Sequence, residues 1–253
     1  MLKTRVIPSL LLRDSGLVKT VNFKDAKYVG DPINAVKIFN EKEVDELILL
    51  DISATVGKKK PNFELISQIA GECFMPFGYG GGIREIDDIK RIFNLGVEKV
   101  VINSYAVENP LFIKEAANIF GSQSIVVSID VKRTKSGNYE IFTNSGKEET
   151  GLNLKDFIGK IEKMGAGEIF LNSIDRDGLM QGFDLSLISE ASKAVSIPLI
   201  VCGGAGKIED FKEAIMAGAS AVAAGSMFIF YGRQRAVLIN FPHQKELDLL
   251  NNL

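Results

Sequence analysis

Two glycine-rich strand ends decide the fold: Phe77-Gly78-Tyr79-Gly80-Gly81-Gly82-Ile83 and Leu199-Ile200-Val201-Cys202-Gly203-Gly204-Ala205. Each closes a short apolar run and opens a helical pattern. They are copies of each other, offset by 122 positions (203 − 81). At that offset Ile86 matches Ile208, Asp88 matches Asp210, Gly96 matches Gly218, Val100 matches Val222 and Ser104 matches Ser226. Glu46-Leu47-Ile48-Leu49 matches Glu168-Ile169-Phe170-Leu171. A repeat this long, with matched strand ends, marks a half-domain that has been doubled.

Glycine lets backbone N–H groups come close to an anion. The helix N-terminus that follows adds unpaired donors and a positive dipole end. Either pair alone reads as a tight strand-to-helix turn. Two pairs in register, each followed by a further strand end at Asn103-Ser104 and Gly225-Ser226, point to two phosphate sites.

Outward from these ends, strand-like and helix-like stretches alternate. Strands are expected near 4–10, 46–52, 74–79, 98–103, 124–130, 168–173, 198–202 and 221–225. Helices are expected near 32–43, 62–72, 85–95, 109–119, 153–164, 184–195 and 207–217, with an eighth from about 232. The strands are continuous apolar runs, as buried parallel strands are. Eight β–α units over residues 1–253 make one α/β domain, a (β/α)8 TIM barrel built from two duplicated halves. A doubly wound sheet is the alternative, and the doubling favours a closed ring. Residues 13–31 are expected as a long loop with a flexible tip at Asp14-Ser15-Gly16. After the fifth strand, Tyr139-Glu140-Ile141-Phe142-Thr143 reads as one arm of a small hairpin following the Ser136-Gly137-Asn138 turn.

Composition bounds the function. The hydrophobic share is 46%, the charged share 25% and the formal net charge −2, which fits a soluble globular chain with a large core. No basic stripe points to nucleic acid. Cys73 and Cys202 fit no metal spacing and sit in apolar runs, as reduced core residues of a cytoplasmic protein do. A single histidine, His243, argues against a histidine triad or metal site, and no cofactor motif is present. Leu10-Leu11-Leu12 is too short for a signal sequence, and no run is long enough to cross a membrane.

The polar groups gather at the two ends of the strands. Asp51 and Asp130 each end an apolar strand at the upper, C-terminal face, where a carboxylate can act as general base or bind hydroxyls. A structural carboxylate accepting loop N–H groups is as good a reading for either alone. Lys19 can reach over the mouth or lie in solvent. At the lower face Arg5, Glu46, Lys99 and Glu168 begin their strands, and position alone makes them no more than a rim of salt bridges.

Together these residues resemble the cyclase subunit of imidazole glycerol phosphate synthase, the HisF family. The similarity runs over nearly the whole chain. It includes Arg5-Val6-Ile7-Pro8, Gly30-Asp31-Pro32, Gly80-Gly81-Gly82-Ile83-Arg84, Ile102-Asn103-Ser104, Ile129-Asp130, Asp175-Arg176-Asp177-Gly178 and Gly203-Gly204-Ala205-Gly206. The resemblance implies a HisH-like glutaminase docked at the lower face, and ammonia crossing the barrel to a bis-phosphorylated aminoimidazole precursor above. It implies that Arg5, Glu46, Lys99 and Glu168 gate the ammonia. It assigns Gly82, Asn103 and Ser104 to one phosphate site and Asp177, Gly203, Gly204, Gly225 and Ser226 to the other. Lys19 and Asp51 join the substrate site, and Asp130 is one of two catalytic carboxylates.

The second carboxylate is absent. The family carries aspartate at the end of the first strand, and this chain reads Ile7-Pro8-Ser9-Leu10-Leu11. Leucine moves no proton. Asn172 and Cys202 also stand where threonine and serine are usual. This combination resembles the HisF-like paralogues that accompany sugar amidotransferases in surface-polysaccharide (lipopolysaccharide O-antigen) biosynthesis. The expectation is an ammonia-supplying subunit with an altered acceptor. The alternatives are a true cyclase of histidine biosynthesis, a non-catalytic scaffold that activates the glutaminase, and a phosphosugar isomerase on the same doubled barrel. The chain has no glutaminase Cys–His pair, so the partner is a separate subunit.

Overall fold

The apolar runs pair side by side as eight parallel strands that close into a ring. The structure, a computed structural model, describes residues 4–248 and residue 250; the extreme ends of the expected domain lie outside the described residues. The barrel strands are β1 (Arg5–Arg13), β2 (Leu47–Asp51), β3 (Phe77–Gly80), β4 (Lys99–Ile102), β5 (Ile125–Arg133), β6 (Glu168–Ser173), β7 (Leu199–Cys202) and β8 (Ala221–Ala224). Each pairs in parallel with the next, and β8 returns to β1, with Arg5 opposite Ala221 and Ile7 opposite Ala223.

The strands' two-residue period divides each apolar run into two cores. Ile7, Ile48, Val101, Val126, Phe170, Ile200, Ala221 and Ala223 point inward and fill the barrel. Their neighbours Val6, Leu47, Val127, Ile169 and Val201 point outward and pack beneath the helices. Both sets are withdrawn from water, which is why the strands read as unbroken apolar runs rather than alternating ones.

The helices begin where the sequence supplies caps. Asp31 accepts the Asn34 N–H at 2.9 Å ahead of α1 (Pro32–Glu41), whose proline fits the first turn. Asn62, Asn153 and Asp184 likewise cap α2 (Phe63–Glu72), the helix Leu154–Lys163 and the helix Leu185–Ser192.

The doubling is visible in atomic detail. Strand β3 recurs at the 122-residue offset as β7, β4 as β8, and α3 (Ile86–Asn94) as the helix Ile208–Met216. In the first half Asp88 Oδ2 accepts the N–H groups of Arg84 and Glu85 at 3.4 and 3.2 Å. In the second, Asp210 Oδ2 accepts those of Gly206 and Lys207 at 2.8 and 3.1 Å.

Two expectations are corrected. Residues 13–31 are not a loop: Gly16–Val21 and Lys24–Gly30 form antiparallel strands, the first pairing with the end of β1. Asp14-Ser15 is the turn that joins them to β1, and Asp14 N–H donates to Ser53 Oγ at 3.2 Å. The eighth helix does not start near 232. The chain makes a one-turn helix, Ser226–Ile229, then a small hairpin of Phe230–Tyr231 and Ala236–Val237, and only later the helix Gln244–Asp248. Gly232 and Arg235, both at positive φ, turn the chain there. The hairpin after the fifth strand forms as expected, with Tyr139–Thr143 pairing to the extension of β5 and to Glu148–Asn153. No helix among the described residues is long and apolar enough to cross a membrane.

Candidate active site at the upper end of the barrel

Every residue expected at the upper face lines one cleft: Lys19, Asp51, Gly82, Asn103, Ser104, Asp130, Asp177, Gly203, Gly204, Gly225 and Ser226. The cleft encloses about 1270 Å³, its open mouth included. Leu11, Asn172 and Cys202 line it as well. Arg5, Glu46, Lys99 and Glu168 meet at the opposite end of the strands.

Asp130 sits deepest among the carboxylates. Strand pairing places it beside Asn172, and Asn172 beside Cys202. Burial, and next the charge of Asp177, push the Asp130 carboxyl up to about 7, while hydrogen bonds from Asn103 and Asn172 oppose the rise. Asn103 Nδ2 lies 3.1 Å from Asp130 Oδ2. A carboxyl poised near neutrality can both take and give a proton. With its nitrogen turned to Asp130, Asn172 leaves Oδ1 buried and unpartnered.

Asp51 Oδ1 accepts Ser53 N–H, Ser53 Oγ–H and Ala54 N–H at 2.9, 2.7 and 3.1 Å, fixing the turn after β2. That oxygen acts as a structural carboxylate accepting loop N–H groups, and Asp51 lines the cleft.

Lys19 is drawn inside. It is 6% exposed, and its Nζ donates to the Ser9 carbonyl at 2.6 Å. Burial lowers its pKa to about 8, although Asp177 and Cys202 act the other way. Cys202 is an inert thiol, pushed up to about 12 by burial.

Sequence reasoning missed the roof over the cleft. At the tip of the first hairpin, Asn22 and Phe23 both take positive φ. Thr20 Oγ1 and Phe23 N donate to Asp177 Oδ2 at 2.6 and 3.2 Å, and Asn22 Nδ2 donates to the carbonyls of Ile174 and Asp175. Asp177 is therefore an anchor for this strap. From the other side, Asn144 N–H donates to Ser104 Oγ at 3.1 Å and Ser145 Oγ donates to the Ile52 carbonyl. A Cβ on Gly146 would come within 2.9 Å of the Phe23 ring, so the two hairpin tips meet above the cleft.

The paired glycines have a packing reason of their own. At Gly81 (φ +128) a Cβ would approach the Asp51 carbonyl to 2.6 Å, and at Gly203 (φ +97) the Ser173 carbonyl to 2.7 Å. Asp51 and Ser173 occupy corresponding places in the repeat. Gly225 leaves room for Lys19: a Cβ there would run into Nζ.

At the lower end four charges close a complete circle. Arg5 bonds Glu46 at 2.5 Å and Glu168 at 2.8 Å; Lys99 bonds the same two carboxylates at 2.9 and 3.0 Å. Glu46 and Lys99 side chains are only 2% and 16% exposed. Burial lowers the Arg5 pKa, but the two glutamates outweigh it and raise it overall. The circle lies at the N-terminal ends of the strands, below the apolar residues that fill the barrel. Among the described residues no His, Cys, Asp and Glu cluster could hold a metal ion.

The chain matches the family model described as "Histidine biosynthesis protein" over residues 5–234. It is 52% identical over 250 residues to a Pseudomonas aeruginosa protein provisionally named imidazole glycerol phosphate synthase subunit hisF2, covering 98% of this chain and 100% of that one. It is 48% identical over 252 residues to a Leptospira borgpetersenii protein provisionally named imidazole glycerol phosphate synthase subunit HisF, covering 99% of each. A Hydrogenobaculum protein named imidazole glycerol phosphate synthase subunit HisF is 44% identical over 231 residues, covering 91% of this chain and 92% of that one.

Proposed function

Because the chain belongs to the histidine biosynthesis family, and within it to the HisF subunits of imidazole glycerol phosphate synthase, we propose that it conducts ammonia from a glutaminase to a phosphorylated acceptor. A HisH-like glutaminase docks at the lower face. Glutamine-derived ammonia passes the circle of Arg5, Glu46, Lys99 and Glu168 and crosses the core as a neutral molecule. Desolvating an ion among Ile7, Ile48, Val126 and Phe170 would cost far more than desolvating ammonia. The two glycine-lined ends of the cleft hold phosphates, and Asp130 moves protons. The protein works in the cytoplasm.

The acceptor is not the family's usual one. The observation that carries this is Leu11, which lines the cleft where the second carboxylate belongs, above a lower circle that is intact. We assign the ammonia to a sugar amidotransferase of surface-polysaccharide biosynthesis. The second reading, a histidine-pathway cyclase, draws on relatives named without the provisional term, such as the Hydrogenobaculum protein.

The test is cyclase turnover by the purified chain, given the bis-phosphorylated imidazole precursor and excess ammonium at alkaline pH. Free ammonia bypasses the glutaminase, so only the upper face is probed. Precursor binding without turnover, and turnover gained in Leu11→Asp, supports an altered acceptor. Turnover by the unaltered chain at a rate usual for enzymes supports the cyclase instead.

A further inference from the structure

Lys19 is an amine that neither phosphate anchoring nor ammonia passage requires to be buried. Its Nζ enters the cleft from the first hairpin, gives one hydrogen bond to Ser9 O, and has no carboxylate at ion-pair distance among the described residues. The groups that face it are Asp177 from the loop after β6, Cys202 at the end of β7, the Ser9 carbonyl on β1, and Gly225 after β8. The glycine-lined end of the cleft at Gly203, Gly204 and Gly225 lies beside it. Asp130, also in the cleft, supplies a carboxyl that can change protonation near neutrality.

We infer that Lys19 is a nucleophilic amine that condenses with the carbonyl of a phosphorylated aldehyde or ketone held in this cleft. The lysine nitrogen adds to the carbonyl carbon and gives up one proton as the oxygen takes one, which leaves a carbinolamine. Loss of water, with one proton delivered to the leaving hydroxyl and one removed from nitrogen, leaves the imine. Asp177, the carboxylate that faces Lys19, is the group placed to carry those protons. Nothing is oxidised or reduced. Resting on the proposed ammonia supply, the next step is exchange: ammonia adds to the C=N carbon, a proton passes from its nitrogen to the lysine nitrogen, the lysine amine leaves, and the ligand departs as an imine that carries the nitrogen on to the amidotransferase. Burial supports this reading. At pH 8 a lysine of pKa about 8 is half neutral, on the order of 100-fold more than an exposed lysine.

The test uses the full chain, pyridoxal 5′-phosphate as the phosphorylated aldehyde, and borohydride to trap the imine at pH 8, with the adducts mapped by peptide mass. Lys19 should be labelled at least about tenfold faster than the exposed lysines, since its larger neutral fraction outweighs its lower basicity. Inorganic phosphate should slow labelling at Lys19 and nowhere else. Lys19→Met and Lys19→Arg should both lose that adduct while remaining folded by circular dichroism. Glycolaldehyde phosphate with cyanoborohydride, a smaller pair, should mark the same residue. Labelling confined to exposed lysines with both probes overturns the inference. Labelling of Lys19 that phosphate does not slow overturns the assigned ligand class. Neither readout involves ammonia or a glutaminase, so both stand apart from the cyclase assay.

Discussion

Asp130 is held in a state that water would not choose, and its pKa turns that into a stability prediction. An ordinary aspartate titrates near 3.9; burial raises Asp130 to about 7. A carboxyl raised in the fold favours the native state when protonated. Its contribution is complete below the ordinary pKa and is lost as pH climbs through about 7. Asn keeps the shape and can still accept the Asn103 hydrogen bond without carrying charge. Asp130→Asn should therefore melt about 5 °C higher than the parent at pH 8. The margin should shrink toward zero at pH 4, as calorimetry at both pH values would show. An equal margin at both would mean the carboxylate is solvated. Asp130 was legible in sequence because it ends an apolar run. The bonds of Asn103 and Asn172 to it were not, because they join three separate strands.

Among the elements, the first hairpin holds the most contested geometry. Phe23 at φ 61 and Asn22 at φ 49 are unfavourable turn residues, more so for the phenylalanine. The hydrogen bonds to Asp177 and to the carbonyls of Ile174 and Asp175 hold that turn in place. Asp177→Ala removes two of them, with a local loss of about 1–3 kcal/mol. Amides of residues 20–24 should then exchange at least about tenfold faster, while the global melting temperature moves little, because the barrel core is untouched. Hydrogen exchange with mass detection reads both. Unchanged exchange would show that the strap stands without its anchor. The barrel strands could be read from the sequence because burial on both faces leaves long apolar runs. The arm Lys24-Asp25-Ala26-Lys27-Tyr28 could not. It pairs on one side only, carries polar residues on both faces, and takes its shape from the neighbouring arm. The tail failed for a related reason: Phe230–Tyr231 and Ala236–Val237 are short apolar stretches, and the two positive-φ turn positions between them decide for hairpin over helix.

At the scale of the whole molecule the two ends of the barrel carry different chemistry. The half-barrel repeat gives the upper face matched turns and glycines, and Leu11, Asn172 and Cys202 lie between them. The lower face holds four charges in a closed circle. Phe74 follows α2 just before β3, so it lies at that lower end, and it is 87% exposed. A large aromatic standing in water is the kind of residue that anchors an interface, where burying it contributes a few kcal/mol. Tyr231 is 64% exposed but belongs to the hairpin at the upper rim, where Arg235 donates to the Gly178 carbonyl. If the glutaminase sits below, Phe74→Ala should raise its Kd at least about tenfold, equivalent to ~1.4 kcal/mol. Tyr231→Ala should leave it unchanged. Titration calorimetry with the purified glutaminase subunit compares the two directly. The reverse order, a loss with Tyr231→Ala and none with Phe74→Ala, would move the partner to the upper face. It would also take the circle of charges out of the ammonia path.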